Sequence, residues 1–456
     1  MMTPISDFPA PRTPSGACPT ASTLAHPLSA IADPACPGAV HAPVAADGAL
    51  MRVRVPGGLI SPDMLATVAE LARQEAGGHL DVTARANLQL RRVDPERVEG
   101  VTAGLERAGF LPSRAHERLR NIVISPFSGL DPAERFDFGP VVRALDTGLI
   151  GIPRLAALPA KFGFAFDGGG FAFESAAADI AFKTSDRGET LDLFLAGQPT
   201  GRAVAAGFVA ETALALALAI LDVMTAAGLP PRSRALSGRP DLCAEVLARG
   251  ERLISGESGS GDGSRLRDPA PMPIGRRAAT ADRVALVPVV PLGRLTAAQG
   301  LGLAEAARQF AGEVRLAPWR GVVLIVPAAR ASVAERYLAA LDLPLGFESG
   351  FYGLVACADR AECRAALTDA RQDATRLARS LAGTDGLAAY GGGVQISACA
   401  KRCAMRRAGP LDLTARAGGY DLSVDGRPLA RGLTPEAALA AALRFLDPAR
   451  SQTEEA

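Results

Sequence analysis

Four cysteines in the C-terminal quarter carry the strongest chemical signal in this chain. Cys357 and Cys363 stand in ACADRAEC, and Cys399 and Cys403 in ISACAKRCAMR, forming a C-x5-C and a C-x3-C pair separated by a helix-like stretch and a glycine turn at 391–393. Two tight thiol pairs brought together in this way have the layout of a four-thiolate metal site. Disulfides are the weaker explanation. A chain of 456 residues can bury a large core without covalent staples, and its start lacks the basic-then-apolar pattern of a secreted protein. Structural zinc favours pairs about two to four residues apart, which the first pair exceeds. An iron–sulfur cluster or another soft-metal site is therefore the first reading, zinc the alternative, and four buried structural thiols the bland one.

Composition sets the frame around this site. A formal charge of +1 gives no general attraction to nucleic acid or to an anionic membrane. Much of the 48% hydrophobic content is alanine, and arginine almost replaces lysine, which occurs only at Lys161, Lys183 and Lys401. The longest apolar run, 213–224, falls short of the roughly 20 residues a bilayer span needs. It is expected to be a buried helix. The expectation is a cytoplasmic, monomeric enzyme with no membrane or nucleic-acid partner.

The elements that must position the thiols come as a repeat. LMRVRVPGG alternates as a strand, Ser61-Pro62 opens a helix with apolar spacing at Leu65, Val68, Ala69 and Leu71, and HLDVTARANLQLRRV returns to strand texture. This unit aligns, through one single-residue gap, with the stretch VPVVPLGRLTAAQGLGLAEAARQFAGEVRLAPWRGVVLIVP. Pro56 falls on Pro291, Gly58 on Gly293, Ser61 on Thr296, Glu70 on Glu305, and the Thr83 to Leu88 turn on Ala317 to Val322. Turn, helix and strand align together, so this is an internal duplication. Each copy precedes a second α/β stretch. The expected fold is α+β: ferredoxin-like half-domains at 46–115 and 283–350, α/β domains at 116–227 and 351–448, the last carrying the cysteines, and a pseudo-two-fold between the halves. A mobile arm over 1–45 and a Gly/Ser/Pro-rich flexible linker over 228–282 complete the plan. Cys36, alone before Pro37-Gly38, has no role its spacing reveals.

The duplicated module with Thr83-x-Arg85, the two cysteine pairs and the Leu158-Pro159-x-Lys161-Phe162 segment resemble the nitrite/sulfite reductase family, over nearly everything after the arm. Within that family, the CPG ahead of the first module, NIVISPFSGLDP, LPAKFGFAFDGGG and SACAKRCA most resemble the oxygenase of aerobic cobalamin biosynthesis. The resemblance implies a [4Fe-4S] cluster on Cys357, Cys363, Cys399 and Cys403, with Cys403 at the position that bridges to haem iron in sirohaem members. It also implies a basin for a tetrapyrrole, with Arg85, Arg91, Arg120 and Lys161 as contacts to its carboxylates or to a bound anion.

Two departures bear on the reaction. Gly163 stands where relatives carry a second lysine, and Ala398 and Arg402 stand where glycine often lines the cluster. Arg402 is expected to point outward or toward a substrate carboxylate. The first departure weakens sulfite or nitrite reduction and favours the implied oxygenation: precorrin-3A, O2 and NADH-derived electrons giving a C20-hydroxylated γ-lactone. A sirohaem-dependent sulfite or nitrite reductase is the nearest alternative. A non-catalytic iron–sulfur carrier or redox sensor is the alternative of another class. The resemblance also implies a mononuclear non-haem iron, but His26, His41, His79 and His116 show no ligand spacing. The glycine turns at 167–170 and 390–394 lack the dinucleotide pattern. Electrons are thus expected from a separate reductase or ferredoxin-like donor.

Overall fold

The structure is a computed structural model that describes residues 36–446 except 174, 176, 186–189, 254–257, 262–264, 385–392 and 405–408. Most of the N-terminal arm and the first two glycines of the turn at 391–393 lie outside the described residues.

The first half-domain comprises β1 (Ala49–Val53), β2 (Leu59–Ile60), α1 (Pro62–Glu75), β3 (His79–Val82), β4 (Leu88–Val93) and α2 (Val98–Arg107). Next comes an α/β unit of β5 (Ile122–Ile124), α3 (Gly139–Gly151), β6 (Phe164–Asp167), β7 (Ile180–Thr184), β8 (Thr190–Leu195), β9 (Gln198–Ala205), α4 (Val209–Ala226), α5 (Pro240–Glu251) and β10 (Ser258–Ser260). The second half-domain holds β11 (Gly275–Ala278), β12 (Arg283–Val287), β13 (Arg294–Thr296), α6 (Ala297–Gln309), β14 (Glu313–Ala317), β15 (Gly321–Pro327) and α7 (Ala331–Ala340). The chain closes with β16 (Leu354–Ala356), α8 (Ala370–Leu381), β17 (Val394–Ser397), β18 (Leu411–Arg416), β19 (Gly419–Val424), β20 (Arg427–Leu433) and α9 (Pro435–Leu446).

The repeat read from the sequence reappears residue by residue. Ser61 caps α1 by accepting the Met64 N–H, and Thr296 caps α6 in a reciprocal box with Gln299. Before each cap lies a tight Pro-initiated turn whose last two residues are left-handed, Gly57-Gly58 in one copy and Leu292-Gly293 in the other. Glycine at 58 is required twice over. Its φ is +69°, and a Cβ there would lie 2.3 Å from the Leu316 carbonyl oxygen.

The copies exchange strands across the pseudo-two-fold. β2 pairs with β14 (Ile60 with Val314), giving the sheet β11-β12-β15-β14-β2, while β13 pairs with β3 (Leu295 with Leu80), giving β1-β4-β3-β13. Both helices α1 and α6 bury their apolar stripes in one shared core that includes Leu65, Val68, Leu80, Leu303 and Leu324. Neither half-domain has a complete sheet without the other.

The two α/β units share one topology, β10-β9-β8-β7-β6-β5 and β16-β17-β18-β19-β20, each with three parallel strands and then antiparallel ones. Their registers match: Ile122 faces Phe164 and Phe164 faces Ile180, as Leu354 faces Val394 and Val394 faces Leu411. Ser125 therefore occupies in the first unit the place that Cys357 takes in the second. The apolar run at 213–224 lies within α4, the one described helix long and apolar enough to cross a membrane, and its side chains are buried in this unit's core.

Two expectations are corrected. Residues 36–45 are not part of a mobile arm: Cys36 and Ala39 are buried, Val44 bridges to Ala49, and the Glu117 carboxylate accepts the Ala39 N–H at 2.9 Å. Nor is 228–282 wholly linker. Pro240 starts α5, Val246 is buried in the core with α4, and Gly250 lets Leu216 approach where a Cβ would meet it at 2.7 Å. Sequence composition suggested flexibility, but a short amphipathic stretch inside it has a partner to pack on.

Candidate functional site

Topology brings the cysteine loops together. Strands β16 and β17 are parallel neighbours, with Ala356 opposite Ile396, so both chains leave the sheet at the same edge, where sites in parallel sheets commonly form. Cys357 comes directly after β16, and Cys399 comes after β17 by one further residue, Ala398. The Ala398 N–H points at the Cys357 Sγ at 2.9 Å, and Leu367 N donates to the Ala398 carbonyl at 2.7 Å, locking the two loops to each other.

The four thiols share one electrostatic field. Burial pushes the Cys357 thiol up to about 11, the Ala398 N–H works against it, and Cys403, Cys399 and Cys363 each push it further up. Bare, Cys357 holds its proton; a bound metal would have to displace it. None of the four is in a disulfide. Among the described residues, no three Cys, His, Asp or Glu side chains converge tightly enough for a single ion. An all-thiolate set with a backbone N–H aimed at one sulfur fits an iron–sulfur group, whose own bulk separates its ligands, better than it fits zinc. Arg402 adopts φ +49°, the left-handed conformation that glycine would take most easily, and its guanidinium pairs with Asp412 at 2.7 Å. The expected choice between outward and substrate-facing thus resolves to an internal ion pair.

Beside the thiols lies a field of arginines. Arg320 donates to the Ala404 carbonyl, next to Cys403. Burial lowers its pKa, Asp81 opposes that shift, Arg371 adds to it, and Cys357 and Cys403 act in Asp81's direction. Arg52 is lowered by burial and by Arg320, and Arg85 by burial, Arg52 and Arg232. Each of Arg320, Arg52, Arg85 and Arg232 therefore lies in the electrostatic field of the next, with Arg320 beside Cys403 through its bond to the Ala404 carbonyl.

Local sequence explains how Arg85 reaches this field. The Thr83 hydroxyl accepts the N–H groups of Arg85 and Asn87, closing the β3–β4 turn and presenting Arg85 at its tip with Ala86 left-handed at φ +52°. Asn87 then accepts Val55 N–H and donates to Asn121 at 3.4 Å, tying the turn to the first α/β unit. In the second copy the residue aligned with Arg85 is Trp319, which stacks on Phe127. Only one of the two pseudo-symmetric turns presents a cation at this place.

The residues expected to contact substrate divide. Arg85 makes no side-chain hydrogen bond among the described residues and lies in the field of Arg52 and Arg232. Lys161 is half-buried on a turn held by Asn121, whose amide donates to the carbonyls of Ala160 and Phe162 at 3.0 Å each. Its neighbour Gly163 donates to Asp179, which Arg232 also holds at 2.7 Å. A Cβ at Gly163 would meet only ordinary contacts, so a side chain is sterically admissible there and simply absent.

Arg91 and Arg120 are placed differently. Arg120 is 5% exposed, chelates Asp146 at 2.6 and 2.7 Å through Nε and Nη2, and donates from its third nitrogen to the Phe110 carbonyl. Arg91 chelates Asp47 and donates to the Glu362 carbonyl. Both forks are engaged inside the protein. His79 and His116 bond locally, to the Gly77 carbonyl and to Ser113 with the Ile152 carbonyl. The glycine turn after β6 is filled by Arg267, which pairs with Asp167 and donates to the carbonyls of Gly169 and Gly170.

The sequence reading missed Arg52, Arg232 and Arg320. Arg52 had a legible signal: it alternates with buried Met51 and Val53 and so lies on the opposite strand face. Arg232 and Arg320 carry no local pattern that marks them.

Comparison with known proteins places this geometry. The nitrite/sulfite reductase ferredoxin-like half-domain model matches the chain twice, at residues 44–108 and 276–341, and the resemblance to that family is borne out. The solved structure of the Mycobacterium tuberculosis NirA protein has the same fold, with a TM-score of 0.67 over 85% of this chain and 78% of that one at 20% identity. Along the length of the chain, similarity extends to a precorrin-3B synthase of Sinorhizobium sp, 26% identical over 413 residues, 86% of this chain and 83% of that protein. A ferredoxin–nitrite reductase of Leptolyngbya laminosa is 31% identical over 137 residues, and the chain covers only 27% of that protein.

Proposed function

We propose that the chain is a precorrin-3B synthase: it receives precorrin-3A in the arginine-lined basin beside the four thiols and catalyses its oxygen-dependent hydroxylation at C20 with γ-lactone closure. The observation that carries this reading is Arg320 bonded to the Ala404 carbonyl beside Cys403, with Arg52 and Arg85 as the next guanidiniums in its field. A tetrapyrrole rich in carboxylates needs several guanidinium forks, and a redox reaction on it needs a cofactor within electron-transfer reach. The extended similarity to a precorrin-3B synthase supports the same choice, as does glycine at 163.

Cys357, Cys363, Cys399 and Cys403 would hold a [4Fe-4S] cluster, which supplies single electrons when bound. The Ala398 N–H works against the burial that keeps Cys357 protonated, so it would assist the deprotonation that cluster binding requires. Arg85 and Lys161 orient the substrate by its anionic groups, with Thr83 and Asn121 fixing their turns. Electrons come from NADH through a separate reductase or ferredoxin-like protein docked near the thiols.

Supplying the full-length protein with precorrin-3A, NADH, a reductase and isotopically labelled O2 tests this. One labelled oxygen in the lactone product is expected. Reduction of sulfite or nitrite with no change in precorrin-3A would transfer the chain to the sirohaem reductases.

A further inference from the structure

One guanidinium in the field of Arg52 and Arg85 has donors left over. Arg54 is 2% exposed, its Nη2 reaches only the Pro37 carbonyl, at 3.4 Å, and its Nε and Nη1 have no partner among the described residues. An unpaired charge this deeply enclosed is strongly disfavoured unless an anion joins it.

Its surroundings sharpen the case. Arg52, whose Nε is likewise unpartnered, and Arg85 add positive charge at Arg54. Glu117 is the compensating acid, yet its carboxylate is turned to the Ala39 N–H and forms no ion pair with Arg54 among the described residues. Residues 36–39 close the outer side: Cys36 and Ala39 are buried, and a Cβ on Gly38 would lie 1.9 Å from Glu117 Oε1. Three guanidiniums thus share one field, and none of them forms an ion pair among the described residues.

We propose that Arg54, supported by Arg52 and Arg85, is the buried receptor for one peripheral carboxylate of the tetrapyrrole, and that residues 36–39 are the wall that shuts this carboxylate from water. Cys36 is a wall residue here, not a metal ligand. The inference rests on the tetrapyrrole reading above and adds a residue that selects acid-bearing substrates.

The test titrates uroporphyrin III and its fully methylated ester into the full-length protein and its Arg54→Met and Arg54→Lys variants, at one cosolvent concentration. The wild type is expected to prefer the free acid. Arg54→Met should weaken acid binding roughly ten- to a hundredfold while leaving the ester unchanged, the range of one charge-assisted hydrogen-bonded contact. Should Arg54→Met not fold, Arg54→Lys keeps the charge and should lower the acid-to-ester preference by a smaller factor. A folded variant that keeps the wild-type preference overturns the assignment, including the case in which Arg54→Met loses stability equally with and without porphyrin. Binding of neither porphyrin by the wild type would instead overturn the tetrapyrrole reading itself, and this inference with it.

Discussion

Arg91 and Glu362 join the two ends of the molecule: the guanidinium in β4 donates to the backbone carbonyl of the residue that precedes Cys363. The Glu362 side chain is held as well, by Arg294 at 2.9 Å with Arg371 at 3.8 Å. Burial pushes the Glu362 carboxyl up, but Arg294, Arg371 and Arg91 outweigh it and hold it below the usual range. The loop bearing Cys363 is therefore fastened to the first half-domain. Arg91 is a positioning residue for the thiols.

Replacing Arg91 by Met leaves Asp47 unpaired in a largely buried setting, which costs about 3 kcal/mol. Denaturant unfolding should show that loss, and iron per chain should fall while porphyrin binding to the iron-free protein stays within twofold of wild type. Arg91→Lys should restore part of the iron content.

Lys161 and Arg120 should separate in the opposite sense. Arg120→Met strands Asp146 and the Phe110 carbonyl, and an unfolding loss of about 3 kcal/mol is expected. Lys161→Ala, on a half-buried turn, should shift stability by no more than ~0.5 kcal/mol yet lower turnover at least tenfold. Paired melts and turnover assays on the two variants check this.

Stability should respond to pH in two directions. Burial pushes the Glu134 carboxyl up to about 7, with the nearby Ser125 and Ser128 hydroxyls acting against it and Asp131 and Asp167 adding to it. A raised carboxyl gives stability that is complete below its unfolded value and lost as pH rises toward 7. Glu134→Gln removes this loss, and at pH about 8 should be on the order of 2 kcal/mol more stable relative to wild type than at pH about 4. Glu362, whose carboxyl is depressed, contributes stability above its unfolded value that is lost as pH falls through its folded one. Unfolding curves across that range, for wild type and Glu362→Gln, read both slopes.

Gly58→Ala tests the strand exchange. A methyl group there meets the Leu316 carbonyl oxygen at 2.3 Å from a left-handed backbone, so a loss of about 3 kcal/mol is expected in thermal or denaturant unfolding. At Gly78, also left-handed but facing open space, the same substitution should cost only about 1 kcal/mol.

Much of this fold was legible because the repeat is carried by residues with strong local rules. Pro56 and Pro291 begin the same turn, Gly58 and Gly293 take the same left-handed conformation, and Ser61 and Thr296 cap the same helix. The thiol pairs were legible for a similar reason, since their spacing is short and thiols are few. Arg91 and Arg120 misled because a guanidinium on a strand looks the same whether its acceptor is a substrate or an Asp47 or Asp146 lying 44 or 26 residues away in sequence. Of the other arginines in this field only Arg52 had a local signal, its place on the face of β1 opposite Met51 and Val53; Arg232 and Arg320 come from distant segments and reach it only through the tertiary fold. Residues 36–45 escaped for want of periodicity, being held by single contacts such as that of Ala39 with Glu117.

The most direct test of the central claim is the visible and electron paramagnetic resonance spectrum of anaerobically purified protein, before and after reduction. A broad iron–sulfur absorption without sirohaem bands, with a cluster signal on reduction that disappears in Cys357→Ser, is the predicted result and leaves the basin for precorrin-3A. Sirohaem bands would contradict the assignment of the tetrapyrrole as substrate, and an iron-free protein would contradict the cluster.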